Sequence, residues 1–362
     1  MIAACGDTPP PAHATSTSTS TSTSTSAPTA TATAVAPVTT AAAAPVAAKP
    51  APPATSMFDM QMKSLRNYVT AFNKHDAAAV AALYDEDAVF VERGEFVSIG
   101  GSAGGSIEEN YQKHFAAFPD VTTSISRSWH RGDTVVFEYV EGGTNSGPHT
   151  SHKPTGKKVG YVGASVLTLN AKGLVKKDVT FYDELTMESQ AGWLTGALAK
   201  LEVRPVMAVP AATGTWEVHQ VNGVDVGQPR LFAIRKNLYS SFSIRSEKDF
   251  LGALSDDVVF APYDDPKDAT GKKEAARLFS DWMKTFSYGV VNADEAWTVD
   301  GHVLILGTFT GNQVGAWGPL KPTNKAFKSH FLDIARVSKD DKVERVWTYA
   351  NNFEILRDLG FR

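Results

Sequence analysis

The chain has 362 residues, a formal net charge of −4 and 43% hydrophobic residues, enough for two domains of ordinary size. Its mild acidity, with no block of Lys or Arg, argues against nucleic acid as a partner. The single cysteine, Cys5, excludes an intrachain disulfide framework and any CxxC metal or redox site. After residue 56 no apolar run reaches the ~18 residues that a membrane-spanning helix needs.

The first segment, 1–56, is a different material from the rest. From residue 12 it is almost wholly Ala, Ser, Thr and Pro, with Lys49 its one charge. Such a composition buries too little apolar surface to offset its ordering entropy, so a disordered tether is expected. Ile2-Ala3-Ala4-Cys5-Gly6 resembles a bacterial lipobox, in which the cysteine becomes lipidated. The resemblance implies a lipid anchor at Cys5 and a place in the cell envelope or periplasm, with the cytoplasm as the alternative if Cys5 is not processed. Only four residues precede Cys5, so this expectation requires a start upstream, with a basic and apolar run.

A first folded unit is expected over 57–200. Ser56-x-x-Asp59 reads as a capping start, and Met60, Leu65, Tyr68, Val69 and Phe72 fall at helical spacing. Asp76 reads as the cap of a second short helix, and Ala88-Val89-Phe90-Val91 as a strand. A glycine-rich loop at 100–105 precedes Ser106-x-x-Glu109, which opens a third helix ending at Phe118-Pro119-Asp120. Strands are then expected at 124–131, 134–142, 159–170 and 174–182, separated by turn residues.

Residues 201–228 read as a linker carrying a small hairpin, 216–226, turned at Asn222-Gly223. Pro229 then opens a second unit, 229–362, that repeats the order of the first. Phe72 aligns with Phe242 and Asp76 with Ser246 at an offset of 170; Trp129 aligns with Trp297, Lys153-Pro154-Thr155 with Lys321-Pro322-Thr323, and Asp183 with Asn351 at 168. So small a drift over that span indicates duplication.

Three helices followed by long strands argue for an α+β domain whose bent sheet closes over a helix. Both copies are similar to the SnoaL-like polyketide cyclase branch of the nuclear transport factor 2-like superfamily, a resemblance carried by the run Leu83-Tyr84-x-x-Asp87-Ala88-Val89-Phe90, the helix end at Phe118, Gly143-Thr144 and Gly307-Thr308, the Lys-Pro-Thr-x-Lys segments and the closing 183–192. The resemblance implies two tandem cones, each of three helices packed in a strongly curved mixed sheet. It also implies pairing of the copies through their convex sheet faces as an intramolecular pseudo-dimer, and a small hydrophobic ligand in the cones. In that family an aspartate at the start of the terminal segment is the general acid/base of a cofactor-independent ring closure, a role that falls on Asp183. The second copy has Asn351 there, which cannot carry a proton. Family members commonly place a histidine after the Gly-Thr pair, where this chain has Asn145 and Phe309.

A carboxyl inside an apolar cone loses hydration and gains pKa, which suits proton transfer near neutral pH. Strand alternation places Val179, Phe181 and Asp183 on one face and Asp178, Thr180 and Tyr182 on the other. If the first face turns to the cone, Asp183 works there; otherwise Asp183 caps the segment after it. Tyr182, Glu138, His114, Trp129, Trp297, Tyr349, His330 and Asn351 are the further pocket candidates. No cofactor or metal is expected: there is no GxxxxGK[ST] motif, and His149-x-x-His152 shows no third ligand. Two readings stand side by side, a cofactor-free cyclase or isomerase and a non-catalytic, lipid-tethered carrier of apolar molecules.

Overall fold

The computed structural model describes residues 56–92, 107–221 and 228–361. The tether with Cys5, the 100–105 loop, Ser106 and Asn222-Gly223 lie outside the described residues. Ala54–Arg362 form one compact unit.

The first copy begins with α1 (Met57–Asn73), whose N-terminus is capped by Ser56 Oγ accepting from Asp59 N–H at 3.1 Å. Its buried Met62, Leu65, Val69 and Phe72 recur every three or four residues, the stripe that lays the helix into the sheet. Asp76 caps α2 (Ala77–Ala81) as expected, after His75 turns the chain at φ +55°. The second copy makes the same corner with Arg245 at φ +56° and the cap Ser246, so the duplication extends to backbone conformation.

After β1 (Tyr84–Glu92) and α3 (Ile107–Ala117) come four long strands, β2 (Thr122–Arg131), β3 (Thr134–Thr144), β4 (Lys158–Leu169) and β5 (Val175–Tyr182), then α4 (Glu184–Ala191). The second copy runs α5 (Gln228–Ser243), α6 (Glu247–Gly252), β7 (Leu254–Pro262), the short β8 (Ala269–Thr270), α7 (Gly271–Thr285), β9 (Phe286–Val299), β10 (His302–Gln313), β11 (Ala326–Val337), β12 (Val343–Ala350) and α8 (Asn352–Leu359). Each sheet is mixed: the first strand of each copy joins the last in parallel, β1 on β5 and β7 on β12, while β2 to β5 and β9 to β12 run as antiparallel meanders.

The linker departs from expectation. Its strand β6 (Glu217–Gln220) does not turn back on itself but pairs in parallel with β2, extending the first sheet to the order β1-β5-β4-β3-β2-β6. A four-residue strand finds its partner across the fold, which no local turn signal announces.

Both faces of the first sheet are buried. One face holds Leu65, Phe72, Phe137, Tyr139 and Leu167 around the helices. The other contributes Trp129, Val140, Val166, Val179 and Phe181 to a cluster shared with Trp297, Leu306, Leu332, Trp347 and Tyr349 of the second copy. Polar links cross the same seam: Arg127 stacks 4.5 Å over Trp347 and lies 3.1 Å from Glu138, whose other oxygen accepts from Tyr349 Oη at 2.5 Å. At the end of the seam, Leu185 of α4 and its counterpart Phe353 of α8 share a smaller apolar cluster.

One cross-strand pair shows how the copies diverged. Tyr139 on β3 lies opposite Gly163 on β4; at the same register Gly307 lies opposite Phe331. A Cβ on Gly163 would stand 2.4 Å from the Tyr139 ring, and one on Gly307 would stand 2.5 Å from the Phe331 ring. Each glycine is there to receive its neighbour's ring, and the ring has changed strands between copies. This register also corrects the sequence match of Gly143-Thr144 with Gly307-Thr308. Gly307 corresponds to Tyr139, and the counterpart of Asn145 is Gln313: each accepts, through its side-chain oxygen, from the backbone N–H of Thr155 or Thr323.

Candidate functional site

Inside the first copy the helices and the concave face of the sheet enclose a cavity of about 920 Å³. Its rim is the exposed 148–152 loop with Lys113 of α3; its inner wall is the buried set Phe137, Tyr139, Ser165, Leu167, Asp178 and Thr180. The parity of β5 decides which polar groups arrive there. Asp178, Thr180 and Tyr182 face the cavity, while Val179 and Phe181 face the seam.

Asp178 is the buried carboxyl of this wall. Tyr84 Oη donates to it at 2.7 Å and Thr180 Oγ1 at 3.1 Å, with Ser165 Oγ 2.5 Å from Thr180 Oγ1. Burial raises its pKa and these hydrogen bonds pull it back, leaving it at about 6. A group so placed exchanges protons near neutral pH. Around it Tyr68, Tyr84, Tyr111 and Tyr139 are all held above the ordinary phenol range, first by burial, and so stay protonated.

A second polar group lies nearer the rim. His114 Nε2 is 3.0 Å from Glu141 Oε1, which also accepts from Tyr161 Oη at 2.6 Å. Burial opposes the charged imidazole, but the adjacent Glu141 carboxylate outweighs it and raises the His114 pKa. At the rim His149 and His152 both stack on Trp193, with ring centroids 5.0 and 4.8 Å away. Burial, then the charges of His114 and His152, lower His149 to about 4, so it is neutral at physiological pH.

The second copy carries apolar side chains at the corresponding positions. Trp282 stands for His114, Phe309 for Glu141, Trp317 for His149 and Leu320 for His152, each 168 residues on. The last pair forms the same isolated bridge as the two histidines. Trp282 and Phe309 centroids are 4.8 Å apart, Phe309 and Phe327 5.3 Å, and Phe286 and Phe327 4.9 Å. Tyr182 becomes Ala350. Asp178 itself becomes Val346, while Ser165 becomes the buried Asp333, which accepts from Tyr239 Oη at 3.0 Å and from Thr348 Oγ1.

Of the pocket candidates named from sequence, Tyr182 and His114 line the cavity. Asp183 does not. It caps α4, accepting from Thr186 N–H at 3.0 Å and Thr186 Oγ1 at 2.6 Å, and its other oxygen accepts from Asn352 N–H of the second copy at 3.0 Å. It lies on the Val179–Phe181 side of the strand, and that side faces the seam. Burial still raises it to about 6, against the hydrogen bonds from Thr186 and Asn352. Glu138, Trp129, Trp297 and Tyr349 likewise sit in the seam, because it covers the convex faces of both sheets. Asn351 caps α8, and His330 pairs with Glu354 at 2.8 Å on the second copy. Asp178 and Glu141 were not among the candidates; the signal that finds Asp178 is its shared parity with Tyr182.

Two family models match the chain: a SnoaL-like domain over residues 65–178 and a SnoaL-like polyketide cyclase over residues 234–359. No curated protein matches it. Solved structures similar to it include IdmH, a proposed polyketide cyclase from Streptomyces antibioticus, at 16% identity over 36% of this chain and 98% of that one, TM-score 0.32. AclR, a proposed hydroxylase from Streptomyces galilaeus, is similar at 18% identity over 37% and 83%, TM-score 0.34. An NTF2-like protein from Burkholderia xenovorans is similar at 16% identity over 37% and 98%, TM-score 0.30.

Proposed function

The chain carries two tandem SnoaL-like domains of the nuclear transport factor 2-like kind, and from this we propose that the first is a working pocket and the second its structural partner. The observation that carries the reading is the asymmetry of the cones. One keeps a cavity of about 920 Å³ with a buried, near-neutral carboxyl; the other replaces His114, Glu141 and His149 of that lining with the rings of Trp282, Phe309 and Trp317.

The ligand is a small, mainly apolar molecule with a carbonyl or enol group facing Asp178. An apolar lining supplies affinity and a few convergent polar groups fix orientation. Ionised Asp178 accepts a proton from the carbon beside the carbonyl, and the resulting acid returns it to a different atom of the same molecule. The proton balance closes without a cofactor. Tyr84 holds the carboxylate through its hydroxyl, and the protonated tyrosines around it can donate to a developing oxyanion. The family resemblance would give this work to Asp183; its cap and its bond to Asn352 support reassigning it to Asp178. We read the shared apolar cluster in the same way, as an intramolecular pseudo-dimer that gives the second copy its purpose.

The pocket is tested with the neutral naphthyl ketone prodan, whose emission rises in apolar surroundings. The full chain should bind it saturably. Met187→Trp, which fills the cavity from α4, should lower the affinity at least tenfold. Equal binding by the variant would place the site elsewhere.

A further inference from the structure

The two copies meet through their closing helices by two hydrogen bonds between corresponding pairs of residues. Asp183 Oδ1 accepts from the N–H of Asn352 at 3.0 Å, and Asn351 Nδ2 donates to Glu184 Oε2 at 3.4 Å. In both, the cap residue of one copy meets the first helical residue of the other, since 183 corresponds to 351 and 184 to 352. The first copy brings an acidic pair, Asp183-Glu184, and the second an amide pair, Asn351-Asn352. All four are buried. Two identical copies carrying Asp-Glu would therefore gather four buried carboxylates. Like charges that close in a dry site cannot all ionise, and the amide donor that meets Glu184 would be lost.

Other acids already crowd the place. Asp264 and Asp265 lie near Asp183, and both are raised first by burial. Asn352 Nδ2 donates to the Asp264 carbonyl at 2.8 Å. The nearby cation, Arg204 of the linker, donates to the carbonyls of Asp265 and Pro262 and pairs with Asp268. Glu184 is the member that matters for the pocket, because it also lines the first cone.

We propose that Asn351 is a positioning residue for the first cone: its amide holds the Glu184 side chain in place in the cavity wall, where an acid at 351 would push it away, and is not the relic of a lost acid. This rests on the reading of that cone as the ligand site.

The test is the nearly isosteric Asn351→Asp in the full chain, compared at pH 5 and pH 8. At pH 8 the new carboxylate faces Glu184 and Asp183. The thermal midpoint should fall by several degrees and prodan affinity by about tenfold; at pH 5, where the added acid is protonated, both should return toward wild type. Glu184→Gln introduced alongside should restore both at pH 8, which a merely structural defect would not permit. A loss equal at the two pH values, or unrelieved by Glu184→Gln, overturns the proposal. So does a rescued midpoint with prodan affinity unchanged throughout, since the amide would then serve only the seam. Wild-type protein that does not bind prodan would instead bring down the reading of the cone, with the midpoints still deciding the charge contact.

Discussion

Asp178→Asn is expected to make the protein more stable at pH 8, by about 1–3 kcal/mol, and to leave its stability at pH 4 nearly unchanged. The sign follows from the raised carboxyl. In the fold it titrates at about 6 against an ordinary 3.8, so the folded state holds the proton more tightly than the unfolded chain. That advantage is complete below the ordinary value and disappears as pH rises through 6. Above 6 the protein carries a buried carboxylate whose desolvation is only partly offset by Tyr84, Thr180 and Ser165. An amide of the same shape removes that charge and still accepts a hydrogen bond from Tyr84. The same change should lower any proton-transfer turnover by 10²–10⁴-fold, roughly what a positioned acid or base contributes. Denaturant titrations at the two pH values decide it; a gain that does not depend on pH, or a loss greater at pH 8, would remove Asp178 from the role. A group that destabilises the fold where it would act is the usual mark of a working site.

Trp129→Ala should cost about 3–5 kcal/mol, the range for emptying a large buried aromatic site. Trp129 is wholly buried in the seam, stacked on His219 of the linker strand at 5.7 Å and packed against Trp347 of the second copy at 6.2 Å. Because that cluster draws residues from both sheets, the loss should appear in both copies as a single transition at lower denaturant, by circular dichroism and by the fluorescence of the remaining tryptophans. Two transitions, the later one unmoved, would contradict the pseudo-dimer.

The duplication was legible in the sequence because it is written in local chemistry. Asp76 and Ser246 cap the same helix, and Lys153-Pro154-Thr155 returns as Lys321-Pro322-Thr323. The direction of the strands was not legible, for a physical reason. Alternation reveals the core face of a sheet only when the other face meets water. Here the second copy covers the convex face, so β4 is buried at nearly every position and β5 is buried on both faces from Asp178 to Phe181. Val179 and Phe181 are as apolar as any cone lining, and following them led to Asp183 rather than Asp178. The parallel pairing of β6 was hidden for another reason: its partner β2 lies some ninety residues earlier, beyond the reach of any turn signal. The apolar character of the second cone was half visible. Phe309 and Phe331 stood out as apolar, but the exchange of Tyr139/Gly163 for Gly307/Phe331 needs the strand register to be seen.

Native mass spectrometry of the full chain, after exposure to a small-molecule extract of its source cells, tests the central claim most directly. One discrete ligand per chain, released on denaturation and lost in Met187→Trp, is the predicted result. Two ligands per chain, or one retained by that variant, would contradict a division of labour between an open first cone and a filled second one.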